Sequence, residues 1–310
     1  MITVRPLLPT DLLPFLSFYR RTPREQGLVG RNNATRSLGL TDFAGIPLQH
    51  CWIALRDGQI AGITAVRPGS TVDTWQIERF VCLPDVQEAA VRLELLRRLC
   101  ESAAEEGVQR IFIRSHADSP LVDTARQIAF VQYTNEILYR HPHVPRVVGV
   151  NYLGFRARRG KDHHALFRLY SSAVPGSVRQ AEGMTLEEWR RSEGWRLHSP
   201  RRGFPFTDRR RDYVVGENGT IFAWLQIDRS RRSISVLVDP KAEISLEGIV
   251  EFGLSKLNTG AEALCLVRDY QGGLAHALEA RGFGPVAEHA LLVRMLAVWV
   301  KEPRLVPVRA

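Results

Sequence analysis

The stretch Ile77-Glu78-Arg79-Phe80-Val81-Cys82-Leu83-Pro84-Asp85-Val86-Gln87 joins an apolar strand to an amphipathic helix. The strand is predicted over 75–83 and has to stop at the proline, because proline has no N–H for a sheet ladder. Asp85 can cap the helix that follows, with Glu88 reaching back in a capping-box arrangement. The apolar stripe of the helix continues until Gly107 ends it. This stretch therefore predicts a strand–turn–helix unit.

Phrases of the first half recur in the second half with a period of about 150 residues. Val81-Cys82-Leu83-Pro84 corresponds to Leu237-Val238-Asp239-Pro240, and the hairpin signal Asp57-Gly58 corresponds to Asn218-Gly219. Further correspondences keep the same order: Arg5 and Asp11 with Arg156 and Asp162, Arg110–Arg114 with Ala263–Arg268, and Phe130 with Phe283. A period of this length indicates a duplicated domain rather than a short solenoid repeat.

Each half is predicted to contain the elements β-α-(α)-β-β-β-α-β-α-β, with a pair of strands at its end. Hairpins give antiparallel pairs, whereas the strand–helix–strand unit over 81–114 gives a parallel neighbour. The fold class is therefore α/β, with a mixed, mostly antiparallel sheet flanked by helices in each half. We expect domains over 1–143 and 144–310. The linker over 141–145 holds two prolines and two histidines, and it is either a stiff connector or a metal-binding hook.

Length and composition fit a globular protein of two domains. At 310 residues, each half can bury its own core, and the hydrophobic fraction of 45% and charged fraction of 24% are ordinary for soluble proteins. No apolar run approaches the ~20 residues that a membrane-spanning helix needs. The N-terminal residues enter a strand at once and show no signal-peptide pattern. We expect a cytoplasmic protein, monomeric or homodimeric, with no membrane partner.

Cysteine spacing and charge argue against two further classes of site. The cysteines have no C-x-x-C spacing and lie within apolar stretches, so they are predicted to be buried free thiols and no metal is expected. The net charge of +9 comes almost entirely from arginine. Arginine suits phosphate and carboxylate recognition, but no nucleic-acid-binding module accompanies it. A solvated basic surface is the preferred interpretation, and nucleic-acid binding is the weaker alternative.

The element order, with Pro84 between strand and helix, resembles the GNAT superfamily of acyl-CoA-dependent N-acyltransferases. The resemblance covers both halves, as in tandem GNAT proteins, and is most specific over 77–87 and at Gly282-Phe283. It implies that the fourth strand splays from the fifth, with the pantetheine arm of acetyl-CoA in the gap. It also implies that the pyrophosphate rests on a helix N-terminus, where backbone N–H groups and the helix dipole favour an anion.

The resemblance places the phosphate turn, of pattern Q/R-x-x-G-x-G/A, at Gln87–Arg92. Gln87 fits that pattern, Ala90 departs slightly, and Arg92 stands where a small residue is expected but could pair with a phosphate. The implied acyl-CoA-binding residues are Val81, Leu83, Gln87, Glu88, Ala89, Ala90, Val91 and Arg92. The alternative is a structural helix that Asp85 and Glu88 already cap.

The second half departs further from the same pattern. Its corresponding run, 243–248, keeps only Gly248, and Glu243 would place a negative charge beside a pyrophosphate. The first half is therefore the preferred acyl-CoA site. Asp269-Tyr270-Gln271, followed by Gly272-Gly273, replaces the asparagine turn of the family. It is either a phosphate-approach turn or a plain connector, which is the simpler interpretation.

The resemblance implies a catalytic base at Glu78, which would take a proton from the acceptor amine. The alternative is a strand carboxylate paired with Arg79 or another neighbour. The tyrosine that acts as acid in many family members is missing from both halves. Tyr133 or Tyr139 could substitute, although tyrosines in the last strands are more often core residues with a hydroxyl at the edge.

Further groups could serve the same reaction. A backbone N–H near Val81 would act as an oxyanion donor if the fourth strand is bulged. His116 and Asp118 could contact substrate or water, or cap a turn. The interpretation that follows is an acetyltransferase acting on a small-molecule amine, with a non-catalytic ligand-binding or partner-binding protein as the alternative. The loops over 22–49 and 195–212 are predicted to recognise the acceptor, which no motif names.

Overall fold

The structure is a computed structural model. It describes residues 1–21, 50–69, 73–85, 87–145, 154–191, 210–257 and 260–297. The predicted recognition loop over 22–49 lies outside the described residues, as does the second such loop up to residue 209. No helix within these ranges is long and apolar enough to cross a membrane.

Two compact units form from the described residues. The N-terminal unit takes those of Met1–Ile113, Asp123–Val131 and Val293–Ala310, and the C-terminal unit takes those of Arg114–Val122 and Gln132–Leu292. These units differ from the two sequence halves, because each half contributes chain to both units. The predicted domains over 1–143 and 144–310 stay a prediction about the duplication.

The elements of the first half follow the predicted order. They are β1 Ile2–Pro6, α1 Leu12–Arg21, β2 Cys51–Arg56, β3 Gln59–Pro68, β4 Thr74–Cys82, α2 Glu88–Glu105, β5 Arg110–His116, α3 Pro120–Gln127 and β6 Val131–His141. The predicted terminal strand pair of this half is wrong, because β6 is one unbroken strand.

The elements of the second half repeat that order, and within the described residues three helices precede its first hairpin. They are β7 Arg156–Ala157, α4 His163–Ala173, α5 Gly176–Glu182, α6 Leu186–Arg191, β8 Arg210–Glu217, β9 Thr220–Asp228, β10 Ser233–Val238, α7 Leu246–Ser255, β11 Ala263–Arg268, α8 Gly272–Glu279 and β12 Gly284–Met295.

Each unit contains a mixed sheet, as predicted. In the N-terminal unit the strand order is β1-β2-β3-β4-β5, antiparallel except for the parallel pair of β4 and β5. In the C-terminal unit the order is β12-β6-β11-β10-β9-β8-β7, with β10 and β11 parallel. Strand β6 belongs to the first half of the sequence but pairs antiparallel with β11, from Ala263 opposite His141 to Arg268 opposite Glu136. The C-terminal unit is thus completed by a strand from the other half.

The two predicted hairpins share one turn geometry. Asp57 and Gly58 have φ of 52° and 77°, and Asn218 and Gly219 have φ of 51° and 79°. Positive φ at both central residues is the type I′ arrangement that matches the twist of a hairpin, and Asn, Asp and Gly adopt it at low cost. The hairpin prediction is confirmed in both halves.

An arginine–aspartate clamp at the start of each half shows the duplication in atomic detail. Arg5 donates to both carboxylate oxygens of Asp11 at 2.6 and 2.8 Å, and the N–H of Leu8 donates to Oδ2 at 2.8 Å. Arg156 donates to Asp162 at the same two distances, and the N–H of Arg159 donates at 2.7 Å. In each case the clamp fixes the turn between the first strand and the first helix.

Helix α2 packs directly on β3 in the N-terminal unit. A Cβ atom built on Gly62 would lie 2.8 Å from Cγ1 of Val91 and 2.9 Å from Cδ1 of Leu95, so only glycine allows this approach. On the opposite face of the sheet, Phe15 and Phe18 of α1 are buried against β2 and β3. This packing fixes the start of α2 relative to the end of β4.

Replacing Asp162 by asparagine should destabilise the fold by about 1–3 kcal/mol, because a buried charge-assisted pair is lost. The hydrogen bond from Arg156 lowers the pKa of Asp162 below 3.8, against the opposing effect of burial. The aspartate therefore contributes its full stabilisation above pH 3.8 and loses it as the pH falls through its lower folded pKa. Urea unfolding between pH 2 and 7 measures both effects.

The matched control is Asp118→Asn, at an exposed turn position. It should leave stability within about 0.5 kcal/mol of the wild type. Equal unfolding midpoints for D162N and D118N would show that the clamp is not a stabilising element.

Candidate functional site

A gap opens between the parallel strands β4 and β5. Their register runs from Thr74 opposite Arg110 to Gln76 opposite Phe112 and then ends, although β4 continues to Cys82. The second part of β4 is therefore paired with β3 alone. This is the splaying that the family resemblance implies.

A β-bulge lies in β4 beside this gap. Ala65 of β3 is opposite Arg79, whereas the next residue, Val66, is opposite Ile77, so Glu78 is the extra residue. Bulges redirect side chains and are common beside functional sites. Here the bulge sets the position of the predicted base.

The carboxylate of Glu78 is held by Arg67 of β3. Arg67 Nε lies 2.8 Å from Oε1 and its Nη2 donates to Oε2 at 2.9 Å, a bidentate pair with an 11% exposed carboxylate. The buried Arg79 side chain turns back to the carbonyl oxygen of Glu78, at 3.3 Å. The open alternative of a paired carboxylate is thus realised, with Arg67 instead of Arg79 as the partner. Sequence reasoning missed Arg67, because its register partner is Gln76 and the bulge that brings Glu78 within its reach leaves no sequence signal.

Backbone groups along β4 alternate between β3 and the gap. Leu83 donates its N–H to the carbonyl oxygen of Ala61 at 2.8 Å, so the hydrogen bonds of Val81 are also directed to β3. The peptide groups of Phe80 and Cys82 consequently face the opposite edge, where the ladder has ended. These two amides are the backbone donors near Val81 that an oxyanion could use.

The N-terminus of α2 is only partly capped. Asp85 Oδ1 accepts the N–H of Gln87 at 2.8 Å, and its carbonyl accepts the N–H of Glu88 at 3.1 Å. No side chain caps the helix at Gln87. Within the described ranges, which leave out residue 86, no acceptor takes the N–H of Ala89 or Ala90, and both methyl groups are exposed. The N–H groups of Ala89 and Ala90 lie in the first turn of α2, at the positive end of the helix dipole.

The predicted capping box is wrong for Glu88. Its carboxylate is turned along the helix to Arg92, with Oε1 to Nη2 at 2.6 Å, instead of back to the N-terminus. Arg92 also donates to Thr124 Oγ1 at 3.2 Å and is buried. Attraction between residues four apart on one helix face competes with capping and prevails here. The remaining predicted acyl-CoA residue, Val91, is buried in the core and bonded to Gln87.

Tyr133 lies in the C-terminal unit, whereas Glu78 lies in the N-terminal unit. Tyr133 packs against the apolar cluster of α4, α6 and β9, and burial followed by the charge of Glu182 raises its pKa. Tyr139 donates its hydroxyl to Glu279 Oε1 at 3.1 Å, and burial raises its pKa also. The packing favours the core alternative for both tyrosines.

A buried polar network occupies the centre of the C-terminal unit. Arg268 Nη1 donates to Glu182 Oε1 at 2.7 Å, with both side chains at most 2% exposed, and Tyr170 donates to Oε2 at 2.5 Å. Burial and Glu182 raise the pKa of Tyr170, which keeps its hydroxyl protonated. Arg268 Nη1 also donates a hydrogen bond to the hydroxyl of Tyr270 at 3.3 Å.

The corresponding arginine of the first half makes a similar pair. Arg114 Nε donates to Glu136 Oε2 at 2.7 Å, and its Nη2 lies 3.4 Å from Nδ1 of His289. Burial, Arg114 and His116 together lower the pKa of His289 to about 3, so this imidazole is neutral. The ring of His116 lies against that of His289 in a tilted arrangement, with centroids 4.7 Å apart and an interplanar angle of 31°. Asp118, the other predicted contact residue, is exposed.

The second helix N-terminus is capped by its own chain. Ser245 Oγ accepts the N–H of Gly248 at 3.2 Å, and Glu247 of the first turn pairs with Arg281 at 2.8 Å. Glu243 precedes the helix and is exposed. Gly248 was the residue that fitted the phosphate pattern, and its amide is already used.

The described residues contain no group of three or more His, Cys, Asp or Glu side chains placed to hold a metal ion. In the linker over 141–145, His143 donates its backbone N–H to Nδ1 of His141 at 3.1 Å. The cysteines are buried free thiols, as predicted. Burial raises the thiol pKa to about 12 for Cys51, Cys82 and Cys265 and to about 11 for Cys100.

Replacing Glu182 by glutamine should destabilise the C-terminal unit by about 3–5 kcal/mol, because the Arg268 charge would stay buried without its counter-charge. Urea unfolding followed by tryptophan fluorescence measures this loss. The matched control, Glu217→Gln on an exposed strand end, should change stability by less than about 0.5 kcal/mol. A loss below about 1 kcal/mol for E182Q would contradict the network as a stabilising core.

Comparisons with known proteins agree with this geometry. Residues 16–126 match the model of the acetyltransferase (GNAT) family. No curated protein sequence matches the chain.

Solved structures match over nearly the full length. A GCN5-related N-acetyltransferase from Sphaerobacter thermophilus is 15% identical, with a TM-score of 0.59 and 95% of each chain covered. A putative acetyltransferase from Pyrococcus horikoshii is 14% identical, with a TM-score of 0.52 over 96% of this chain and 90% of that chain.

A tandem GNAT protein from the clavulanic acid biosynthesis pathway is 12% identical to this chain. Its TM-score is 0.52, and the match covers 95% of this chain and 98% of that one. At such identities the likeness shows the fold. The chain therefore has the fold of these GNAT structures, the tandem one included, and its match to the acetyltransferase (GNAT) family lies in the first half.

Proposed function

We propose that the protein is an acyl-CoA-dependent N-acyltransferase that uses acetyl-CoA, bound by the first half, to acylate a small-molecule amine. The observation that carries this proposal is the early end of the β4–β5 ladder, after Gln76 and Phe112. It leaves strand backbone without a strand partner, beside the first turn of α2 with the N–H groups of Ala89 and Ala90. The match of residues 16–126 to an acetyltransferase family supports the same activity.

The residues beside the gap fit acetyl-CoA in two respects. The peptide groups of Phe80 and Cys82 offer hydrogen bonds to a strand-like arm, and the amides of Ala89 and Ala90 offer donors to a pyrophosphate. The Arg92–Glu88 pair neutralises the nearby carboxylate, so the helix N-terminus keeps its positive character. Acetyl-CoA would supply the acetyl group as a thioester, which is the electrophile of the reaction.

Glu78 is the proposed base. It would accept a proton from the ammonium form of the acceptor, directly or through a water molecule, and so release the nucleophilic amine. Arg67 fixes both carboxylate oxygens, which positions the base at the bulge. An amide beside Val81, from Phe80 or Cys82, would stabilise the negative charge that develops on the carbonyl oxygen.

The reaction also needs an acid to protonate the departing thiolate. Tyr133 stays the predicted donor, and its raised pKa keeps the hydroxyl protonated. Its packing among aromatic side chains fits a structural role equally well.

The alternative function is a non-catalytic protein that binds a ligand or partner through the same gap. The observation that favours it is that both charged groups beside the gap are already paired, Glu78 with Arg67 and Arg92 with Glu88. Turnover separates the two functions, because binding alone releases no CoA.

Replacing Glu78 by glutamine should lower kcat about 100-fold or more, because the amide cannot take the proton. A panel of small primary amines with acetyl-CoA, followed by the appearance of free thiol, measures this loss. Binding of CoA should be unchanged, since the pantetheine and phosphate contacts do not involve this side chain.

The control for this prediction is Glu94→Gln on α2, which should keep wild-type turnover. Wild-type turnover in E78Q would remove Glu78 as the base. Binding of CoA by the wild type with no thiol release from any amine would favour the non-catalytic alternative.

Replacing Ala90 by glutamate should weaken CoA binding about tenfold without lowering the melting temperature. A carboxylate in the first turn stabilises the helix dipole but repels the pyrophosphate. Isothermal titration with CoA and a thermal melt measure the two opposite effects.

Ala90→Gln is the matched control, since it has the same size without the charge. It should bind CoA as the wild type does, and D-pantetheine, which has no phosphate, should bind all three proteins equally. Equal CoA affinities for A90E and A90Q would exclude this helix N-terminus as the phosphate site.

A further inference from the structure

The C-terminal unit contains a second gap of the same kind. Strands β10 and β11 pair in parallel only at Ser233 opposite Leu264 and Ile234 opposite Cys265. Strand β10 nevertheless continues to Val238, and β11 continues to Arg268. The end of this ladder repeats the end of the β4–β5 ladder.

Backbone groups of both strands are directed into the second gap. Asp239 donates its N–H to Phe222 at 2.8 Å, so the alternation of the β9–β10 ladder turns the peptide groups of Val236 toward β11. Asp269 donates to Asn135 at 3.1 Å, and the same alternation turns the N–H of Arg268 away from β6. The carbonyl of Val236 and the N–H of Arg268 are among the groups that need partners in the gap.

The side chain of Gln271 supplies both partners. Its Nε2 donates to the carbonyl oxygen of Val236 at 2.8 Å, and its Oε1 accepts the N–H of Arg268 at 3.1 Å. We call this arrangement the Gln271 clasp. Gln271 is also the N-cap residue of α8, where its carbonyl accepts the N–H of Leu274 at 2.9 Å, so its backbone is fixed independently.

The chemistry of the clasp is that of an amide in an extended chain. A strand-like ligand lying between two strands bonds through alternating N–H and C=O groups. The carboxamide of Gln271 presents one of each to these strands. It therefore uses the groups that a pantetheine arm would need in this gap.

The first half has no such side chain. The hydrogen bonds that lead into the next helix match Gln271 to Ser119, because the Ser119 N–H donates to His116 and its carbonyl accepts from Val122, as Gln271 does with Arg268 and Leu274. The Ser119 side chain is shorter than a glutamine, and its Oγ accepts the N–H of Leu121 at 3.3 Å at the start of α3. The two halves therefore differ at the one position that closes the gap.

We infer that Gln271 takes the place of a pantetheine arm in the second gap and thereby limits the chain to a single acyl-CoA, held by the first half. At the N-terminus of α7, Ser245 already accepts the N–H of Gly248, and the carboxylate of Glu247 would repel a phosphate. Both features also disfavour acyl-CoA in the second half. The first-half site in this inference rests on the proposed function. The clasp itself does not.

The test is hydrogen exchange of the full chain, read by mass spectrometry with and without D-pantetheine. This probe has no phosphate, so charges at the helix N-termini do not affect it. Gln271→Ser opens the gap and keeps a residue that favours the N-cap position. Gln271→Met removes both hydrogen bonds but keeps the volume. Circular dichroism confirms that each variant is folded.

In the wild type, pantetheine should protect peptides over 77–92 and leave those over 233–240 and 263–271 unchanged. In Q271S it should protect both regions. In Q271M the Arg268 amide should exchange about threefold to tenfold faster, since one hydrogen bond is lost, with no protection of the second gap by pantetheine.

Each region decides one question. Protection of the second gap in the wild type, or its absence in Q271S, would overturn the clasp as the excluding element. An unchanged Arg268 amide in Q271M would overturn it also. Absence of protection over 77–92 in every protein would overturn the proposed function and leave the result for the clasp standing.

Discussion

The structure depends on two parallel ladders, β4–β5 and β10–β11, that end before their strands do. Buried strand backbone must find hydrogen-bond partners, and a splayed pair of strands leaves carbonyls and N–H groups without them. The second half supplies a partner from its own chain, through Gln271. The first half has Ser119 at that position, with its hydroxyl turned to the start of α3. One local difference between two copies of a fold thus accounts for an asymmetric pair.

The duplication is clearest where a turn has to be fixed by charge. The clamps of Arg5 on Asp11 and of Arg156 on Asp162 agree in distance and in the backbone N–H that joins them. Elsewhere the copies have diverged in polarity. The arginine that ends β11 is paired with Glu182 of an added helix, whereas Arg114 is paired with Glu136. The buried Arg268–Glu182 pair thus stabilises the C-terminal unit, and its charges are not accessible to a cofactor.

Local patterns in the sequence predicted local structure well. The Asp57-Gly58 and Asn218-Gly219 turns, the end of β4 at proline and the buried cysteines follow from neighbouring residues alone. Three features did not follow. The pairing of β6 with β11 joins residues far apart in the sequence. The ion pair of Glu78 with Arg67 depends on the bulge in β4. Glu88 forms an ion pair with Arg92 instead of completing the capping box. Each is decided by competition between contacts that a single sequence does not rank.

We infer that the two halves share a fold and that only the first half takes acyl-CoA. Calorimetric titration of the full-length wild-type protein with CoA tests it most directly. The expected result is a single class of sites with one CoA bound per chain. Two CoA molecules per chain, or no binding at millimolar CoA, would contradict it.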